Sequence, residues 1–185
     1  MNSVEGVIEK FDLPKLGQIG IVTADLETML DYYAKMFQLN PWFRTKAEEE
    51  EIYYRGEKID INLDMLFAYS GKVQIELIGV MSKEESVYSE VINKGGGLHH
   101  LGFFVSDFDQ RISSLKEAGV EVIQQGYINT AGGTTSKFAY LDTVERCGIN
   151  IELIETKLKG RFSVPQTKFM MQIGTLTGDV EKINV

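Results

Sequence analysis

The chain has 185 residues, 43% hydrophobic and 25% charged, which suits one globular domain or two small modules sharing a core. Its formal net charge of −8 opposes non-specific attraction to nucleic acid or to an anionic membrane surface, and no apolar run is long enough to span a bilayer. Cys147 is the single cysteine, which excludes an intramolecular disulfide and a cysteine-based zinc site.

In chain order, residues 1–15 form a lead-in without a signal-peptide apolar region, so a cytoplasmic protein is expected, with no nucleic-acid or membrane partner. Gln18–Ala24 reads as a strand and Asp25 as a helix N-cap. The next helix places Leu26, Met29, Leu30, Tyr33 and Phe37 on one face, and Pro41 closes it. Trp42–Lys46, Ile52–Arg55, Ile61–Ala68 and Val73–Val80 read as strands, with turns at Gly56 and Gly71. The acidic run Glu48–Glu51 is a solvated loop or an edge strand.

Ser82 to Lys94 reads as a connecting helix, opened by a Ser82/Glu85 capping box and burying Val87, Tyr88, Val91 and Ile92. Gly95–Gly97 then leads from helix into strand, the reverse of the order a phosphate loop needs, so it is a turn. His99–Val105 is a strand. Asp107 caps a helix burying Phe108, Ile112, Leu115 and Ala118, which stops at Gly119. Strands follow near Val120–Gln124, Lys137–Leu141 and Ile149–Glu155. For the tail, 157–185, the body of the chain and a second copy in a homodimer are both open as packing partners.

An internal repeat organises these elements. QIGIVTADLETM from Gln18 aligns without a gap on HLGFFVSDFDQR from His100, 82 positions later, and IELI occurs at Ile75–Ile78 and again at Ile151–Ile154. The expected architecture is α+β: two tandem βαβββ modules, about 16–81 and 98–156, forming one curved, cup-shaped sheet. The segment between them, 82–94, is the linker helix, and 16–156 is a single domain.

Strand alternation then selects a site. Successive side chains of a strand point to opposite faces, so His100 shares a face with Gly102 and Phe104, and His99 with Leu101, Phe103 and Val105. If the uniformly apolar faces meet the helices, the opposite faces gather Gln18, Glu76, His100 and Glu152. Carboxylates among apolar strands are costly unless paired or metal-bound. An imidazole, an amide oxygen and two carboxylates without thiolate suit a divalent cation such as Zn, Mn, Co, Ni or Fe. Gln18 either coordinates directly or hydrogen-bonds beside the ion, and His99 has a structural place behind His100. Plainer readings exist: a packed core histidine, and edge glutamates facing water. Cys147 has no sequence-adjacent base to make it a nucleophile. Tyr69, Phe104, Phe138 and Tyr140 are either cup lining or ordinary strand packing.

VQIELIGV, SVYSEVINKGGGLHHLGFFVSD and FAYLDTVERCGINIELIE follow one another in this chain as in the epimerase-like branch of the vicinal oxygen chelate superfamily. That group includes glyoxalase I, methylmalonyl-CoA epimerase, extradiol dioxygenases and bleomycin-resistance proteins, and the resemblance covers roughly Leu16 to Thr156. It implies paired βαβββ modules around a divalent metal held by Gln18, Glu76, His100 and Glu152. The ligand order resembles that of some glyoxalase I enzymes; the epimerases usually carry His first and Gln second, so the chain departs from them twice. Extradiol dioxygenases use two histidines and one carboxylate, which the single inward histidine does not supply.

The resemblance further implies metal-dependent isomerase, epimerase or lyase chemistry. A Lewis acid on neighbouring substrate oxygens stabilises an enediolate while a carboxylate, Glu152 or Glu76, removes the α-proton. The substrate would be a small carbonyl compound, with thioesters and thiol adducts included. A metal-free binding module of the drug-sequestering kind, or a regulatory protein with a vestigial site, is the alternative.

Overall fold

The computed structural model describes residues 11–185. Its frame is β1 (Gln18–Thr23), α1 (Leu26–Met36), β2 (Trp42–Thr45), β3 (Ala47–Tyr54), β4 (Glu57–Ile59), β5 (Leu63–Ser70) and β6 (Val73–Val80). After α2 (Ser89–Asn93) come β7 (Gly97–Phe104), α3 (Phe108–Glu117), β8 (Val122–Thr130), β9 (Thr134–Leu141), α4 (Val144–Cys147) and β10 (Asn150–Leu158). The chain ends with β11 (Phe162–Ser163), α5 (Lys168–Thr177) and β12 (Val180–Ile183).

All strands join one curled mixed sheet in the order β12-β2-β5-β6-β1-β7-β10-β9-β8-β3-β4, with β11 on β10. The expected α+β fold of two βαβββ modules is present. Each module has the same internal order, β2-β5-β6-β1 and β8-β9-β10-β7, and the two meet where β1 runs antiparallel to β7. In each, the opening strand lies parallel to the closing strand, β1 on β6 and β7 on β10. The β2–β3 segment crosses from one margin of the cup to the other: β2 pairs β5, and β3 pairs β8 of the second module. Glu48–Glu51, one side of which has no strand partner, therefore takes the edge-strand alternative.

The outer faces are covered by helices through burial of the expected apolar stripes. Leu26 and Leu30 of α1 pack with Ile21, Trp42, Leu66 and Leu77. Phe108, Ile112 and Leu115 of α3 pack with Ala139, Leu141 and Leu153, joined by Phe11 and Leu13. The expectation of a loose lead-in thus changes for 11–15, while residues 1–10 lie outside the described residues.

Four local expectations are corrected. Phe37 is 59% exposed, because α1 ends one residue earlier and Leu39 fills the core place instead. Asp107 makes no capping bond to α3; its carboxylate accepts from Arg111 Nε at 2.7 Å, aiming that guanidinium at the Phe11 and Asp12 carbonyls. The linker helix spans only Ser89–Asn93. Ser82 and Glu84 accept instead from the backbone N–H groups of Asn62 and Asp60, which ties the non-helical segment 82–88 to the first module with Tyr88 buried. Finally β8 and β9 run to Thr130 and from Thr134, through polar residues whose ladder bonds rather than apolar content sustain the strands.

The tail packs on the body. Its β12 adds to β2, with Val180 opposite Thr45, and α5 lies across the mouth of the cup. Asp179, 7% exposed, ties it down: its carboxylate accepts from Thr130, Thr177 and, at 2.9 Å, Thr134. Burial pushes the Asp179 carboxyl up, but the three hydroxyls outweigh it and hold its pKa below the ordinary value. A depressed folded-state pKa gives stability that is complete above the unfolded value of about 3.9 and lost as pH falls through the folded one. Asp179→Asn is therefore expected to cost about 1–3 kcal/mol at pH 6. Paired urea titrations of the two proteins should show that gap closing as the pH is lowered past about 4; a pH-independent gap would remove the role given to the carboxylate.

Candidate metal centre

The site forms where the two modules meet, and strand register fixes its members. Gln18 and Gly20 of β1 stand beside Gln74 and Glu76 of β6. Across the β1–β7 seam Gly20 faces His100, and Gln18 faces Gly102, which itself lies beside Glu152 of β10. Gln18, Glu76, His100 and Glu152 thus come together, all buried. The two glycines make this possible by symmetry. A Cβ on Gly20 would lie 1.8 Å from the His100 ring, and one on Gly102 would lie 2.6 Å from Gln18 Oε1. Each module vacates the space that the other module's side chain enters.

Three oxygens converge on one nitrogen. His100 Nε2 lies 3.1 Å from Gln18 Oε1, 3.2 Å from Glu76 Oε2 and 3.0 Å from Glu152 Oε2. The Gln18 amide is oriented by its own N–H, which donates to Gln74 Oε1 at 2.9 Å, while Gln74 Nε2 donates to Tyr69 O–H at 2.7 Å. Gln74 was legible as a same-face neighbour of Glu76 in VQIELIGV, although nothing in the pattern assigned it this task.

His99 requires a correction. Alternation puts it on the opposite face from His100, yet its Nδ1 lies 3.1 Å from His100 Nδ1, and it is 2% exposed. The cause is a bulge: Gly20 pairs His100 and Ile21 pairs Leu98, leaving His99 as the extra residue. The glycine run before it, with Gly96 at φ +86° and Gly97 at +140°, was the available signal. Tyr140 packs against both rings, at centroid distances of 5.3 Å from His99 and 5.2 Å from His100, and Tyr88 packs against His99 at 5.1 Å.

The hydrogen bonds of this pair define which nitrogen faces the oxygens. The Val87 carbonyl only accepts, so His99 Nε2, 3.1 Å away, carries the proton. Burial, and then the neighbouring His100, push the His99 pKa down to about 3, so its Nδ1 is an acceptor for His100 Nδ1–H. Only His100 Nε2 is left to face the three oxygens. Burial disfavours the charged ring, but Glu152 and Glu76 outweigh it and raise His100 to about 10. Even so, one N–H serves one acceptor well, and Glu76 Oε2 and Glu152 Oε2 have no hydrogen-bond donor. Burial also raises the Glu76 carboxyl, with His100 opposing.

A divalent cation fits this set better than a proton does. Donor atoms of Glu76, His100 and Glu152 lie within 4.8 Å of one another. Ligands bound at about 2.1 Å to one ion, at right angles, are separated by about 3.0 Å, close to the spacings found here. Neutral His100 would offer its lone pair, both orphaned carboxylate oxygens would gain a partner, and two negative charges would be balanced.

Residues 17–140 match the family model described as the glyoxalase/bleomycin resistance protein/dioxygenase superfamily. The chain belongs to that superfamily. Among solved structures, a hypothetical protein of Bacillus halodurans shares 27% identity at a TM-score of 0.55, over 77% of this chain and 94% of its own. Methylmalonyl-CoA epimerase of Mycobacterium tuberculosis shares 22% at 0.52, over 79% and 93%. A methylmalonyl-CoA epimerase in complex with methylmalonyl-CoA and NH4+ shares 20% at 0.52, over 83% and 100%. No curated protein matches the chain.

In this superfamily member Gln18, Glu76 and Glu152 line a cavity of about 180 Å³, otherwise walled mainly by apolar groups, and His100 lies buried behind them. Phe104, Phe138 and Tyr140 take the lining alternative, whereas Tyr69 acts through Gln74. The C-terminal segment contributes Met170, Met171 and Ile173 of α5 to the wall, a role that no periodicity in the tail disclosed. Cys147 is exposed on α4, away from these residues in the fold.

Because Gly20 leaves the space occupied by the His100 ring, Gly20→Ala should destabilise the fold by about 1–3 kcal/mol through overpacking. Equilibrium unfolding measures the loss, and the His100 ring proton resonances should move with it. A substitution without effect on either would mean that the ring does not occupy that space.

Proposed function

We propose that this protein is a metal-dependent enzyme of the glyoxalase and epimerase kind, abstracting a proton next to a carbonyl of a small substrate. One observation carries the reading: three oxygens, two from carboxylates without a donor, gathered round a single buried imidazole nitrogen. Gln18, Glu76, His100 and Glu152 would hold a divalent cation. Among Zn, Mn, Co, Ni and Fe the donor types select none. Bound there, the ion supplies Lewis acidity towards a substrate carbonyl oxygen.

The chain's own groups supply the remaining work. Gln18, fixed through Gln74, presents its carbonyl oxygen inward, and His99 holds the His100 ring in one orientation. The carboxylate oxygens of Glu76 and Glu152 lie within 4.8 Å of each other beside His100, and both residues also line the cavity in which a substrate would sit. Either one accepts the α-proton and returns it to the same carbon or its neighbour, the alternation that epimerisation and isomerisation require. The apolar wall excludes water from the carbanionic carbon. A homodimer and a cytoplasmic setting accord with this reading as features of the proposal. Among the described residues no helix is long and apolar enough to cross a membrane.

A second reading, a metal-free module that sequesters a small molecule, is favoured by the mainly apolar wall. Elemental analysis of untagged protein separates the two. The enzyme reading expects close to one divalent metal per chain, lost in His100→Ala. It also expects Glu152→Gln to lower turnover by about 10²-fold or more, with the fold retained, in a screen of hemithioacetals, acyl-CoA epimers, 2-oxo acids and uncharged 1,2-dicarbonyl compounds. Protein that neither holds nor accepts metal supports sequestration, and a fully active Glu152→Gln variant removes the proton-transfer step.

A further inference from the structure

We infer that the cavity admits a small, uncharged and mainly apolar carbonyl compound, and that it rejects coenzyme A thioesters and glutathione adducts. The inference rests on the reading above for its chemistry and narrows its substrate class. Three observations carry it.

The first is charge. Among the described residues the cavity is lined by Glu76, Glu152 and Asp179 and by no lysine or arginine. Asp179 is already held by three threonine hydroxyls. A divalent cation between Glu76 and Glu152 only cancels their charge, so no positive centre remains for phosphate or for a second carboxylate. Coenzyme A carries several phosphate charges, and glutathione carries two carboxylates and one ammonium.

The second is the roof. Helix α5 lies over the mouth, and Met170, Met171 and Ile173 turn inward from it. The helix is tied to the body at both ends. Near its start Lys168 Nζ donates to the Asn40 carbonyl at 3.1 Å, and Gly178 closes its end in the left-handed conformation. Immediately after it, Asp179 is tied to the β8–β9 turn region, while Lys46 N donates to the Asp179 carbonyl at 2.9 Å. A long pantetheine arm leaving the cup would have to displace this anchored segment.

The third is size. At about 180 Å³ the space falls below the ~300–1,000 Å³ of pockets for drug-sized ligands. It suits a compact acyl or aryl group attached to adjacent oxygens. Unbranched methionine side chains in the roof adapt to such groups without offering them a polar partner.

The test is calorimetric titration of the full chain with 1-phenyl-1,2-propanedione, and separately with methylmalonyl-CoA and S-lactoylglutathione. The dione should bind at least about tenfold more tightly than either thioester. Met171→Trp, which fills the space under the roof, should weaken dione binding by about tenfold or more while leaving metal content unchanged. A thioester that binds as tightly as the dione overturns the inference. So does dione binding unaffected in a folded Met171→Trp protein, and so does an absence of dione binding. The wild-type comparison needs no variant, so a Met171→Trp protein that fails to fold leaves the test decided. Metal analysis of the same samples reads the proposed function independently: metal-free protein refutes the enzyme reading, while the dione and thioester affinities still decide this one.

Discussion

The structure depends on the proton count at one imidazole nitrogen. Two carboxylates and an amide oxygen face His100 Nε2 in a site from which water is largely removed. Burying charges of this kind costs several kcal/mol per ion unless each finds a partner. One proton cannot satisfy three acceptors, whereas a multivalent centre can. The surrounding contacts restrict how the ring could escape this demand. Its Nδ1 is engaged by His99, whose own Nε2 is engaged by Val87, while Tyr140 packs against the His100 ring and Tyr88 against that of His99. The ring is thus committed to presenting Nε2, and the oxygens are committed to meeting it. Such networks are valuable only when complete.

Duplication explains how so many polar atoms reach one point without disordering the sheet. The seam between β1 and β7 relates Gly20 and His100 to Gly102 and Gln18, so one spatial solution serves both modules. Each glycine forgoes a side chain where the opposite module inserts one. The glutamates arrive by the same route, from the closing strands parallel to β1 and β7. The copies differ in the neutral donor, amide in one and imidazole in the other. That difference leaves the charge of the set to the two carboxylates, and it makes the second module the one needing a supporting layer. The His99 bulge is that layer.

Much of this arrangement was legible because it follows from period and repeat. A two-residue alternation, applied to four apolar strands, selected Gln18, Glu76, His100 and Glu152, and the 82-residue repeat aligned the opening strands. The failures share one physical origin: local deviations that a strict period cannot express. His99 departs from alternation because one inserted residue turns its side chain to the same side as its neighbour's. Ser82–Tyr88 stays out of the helix, despite a capping-box pattern, because Asn62 and Asp60 offer backbone donors that compete for Ser82 and Glu84. Asp107 bonds the Arg111 side chain of its own helix instead of the free backbone N–H groups, and that guanidinium also reaches the Phe11 and Asp12 carbonyls of the lead-in. In the last two cases contacts with distant sequence accompany the departure from the local signal.

The tail presents the same limit in its strongest form. The apolar positions of 168–177 form a helix in the structure, but in the sequence they carry no address. The address comes from Asp179, whose three hydroxyl partners lie on the β8–β9 hairpin and on the helix end itself, and from β12 completing the sheet beyond β2. Once anchored there, α5 can only lie across the open side of the cup. The polar floor made by the repeat therefore acquires an apolar ceiling made by residues outside it. On the proposed function, the chemistry at the floor would call for a substrate able to meet a compact, charge-balanced centre, and the ceiling would require that the remainder of that substrate be short and uncharged. Reactivity and selectivity would then fall to different parts of the chain, and a change in the tail would alter which molecule enters without altering a single donor around His100.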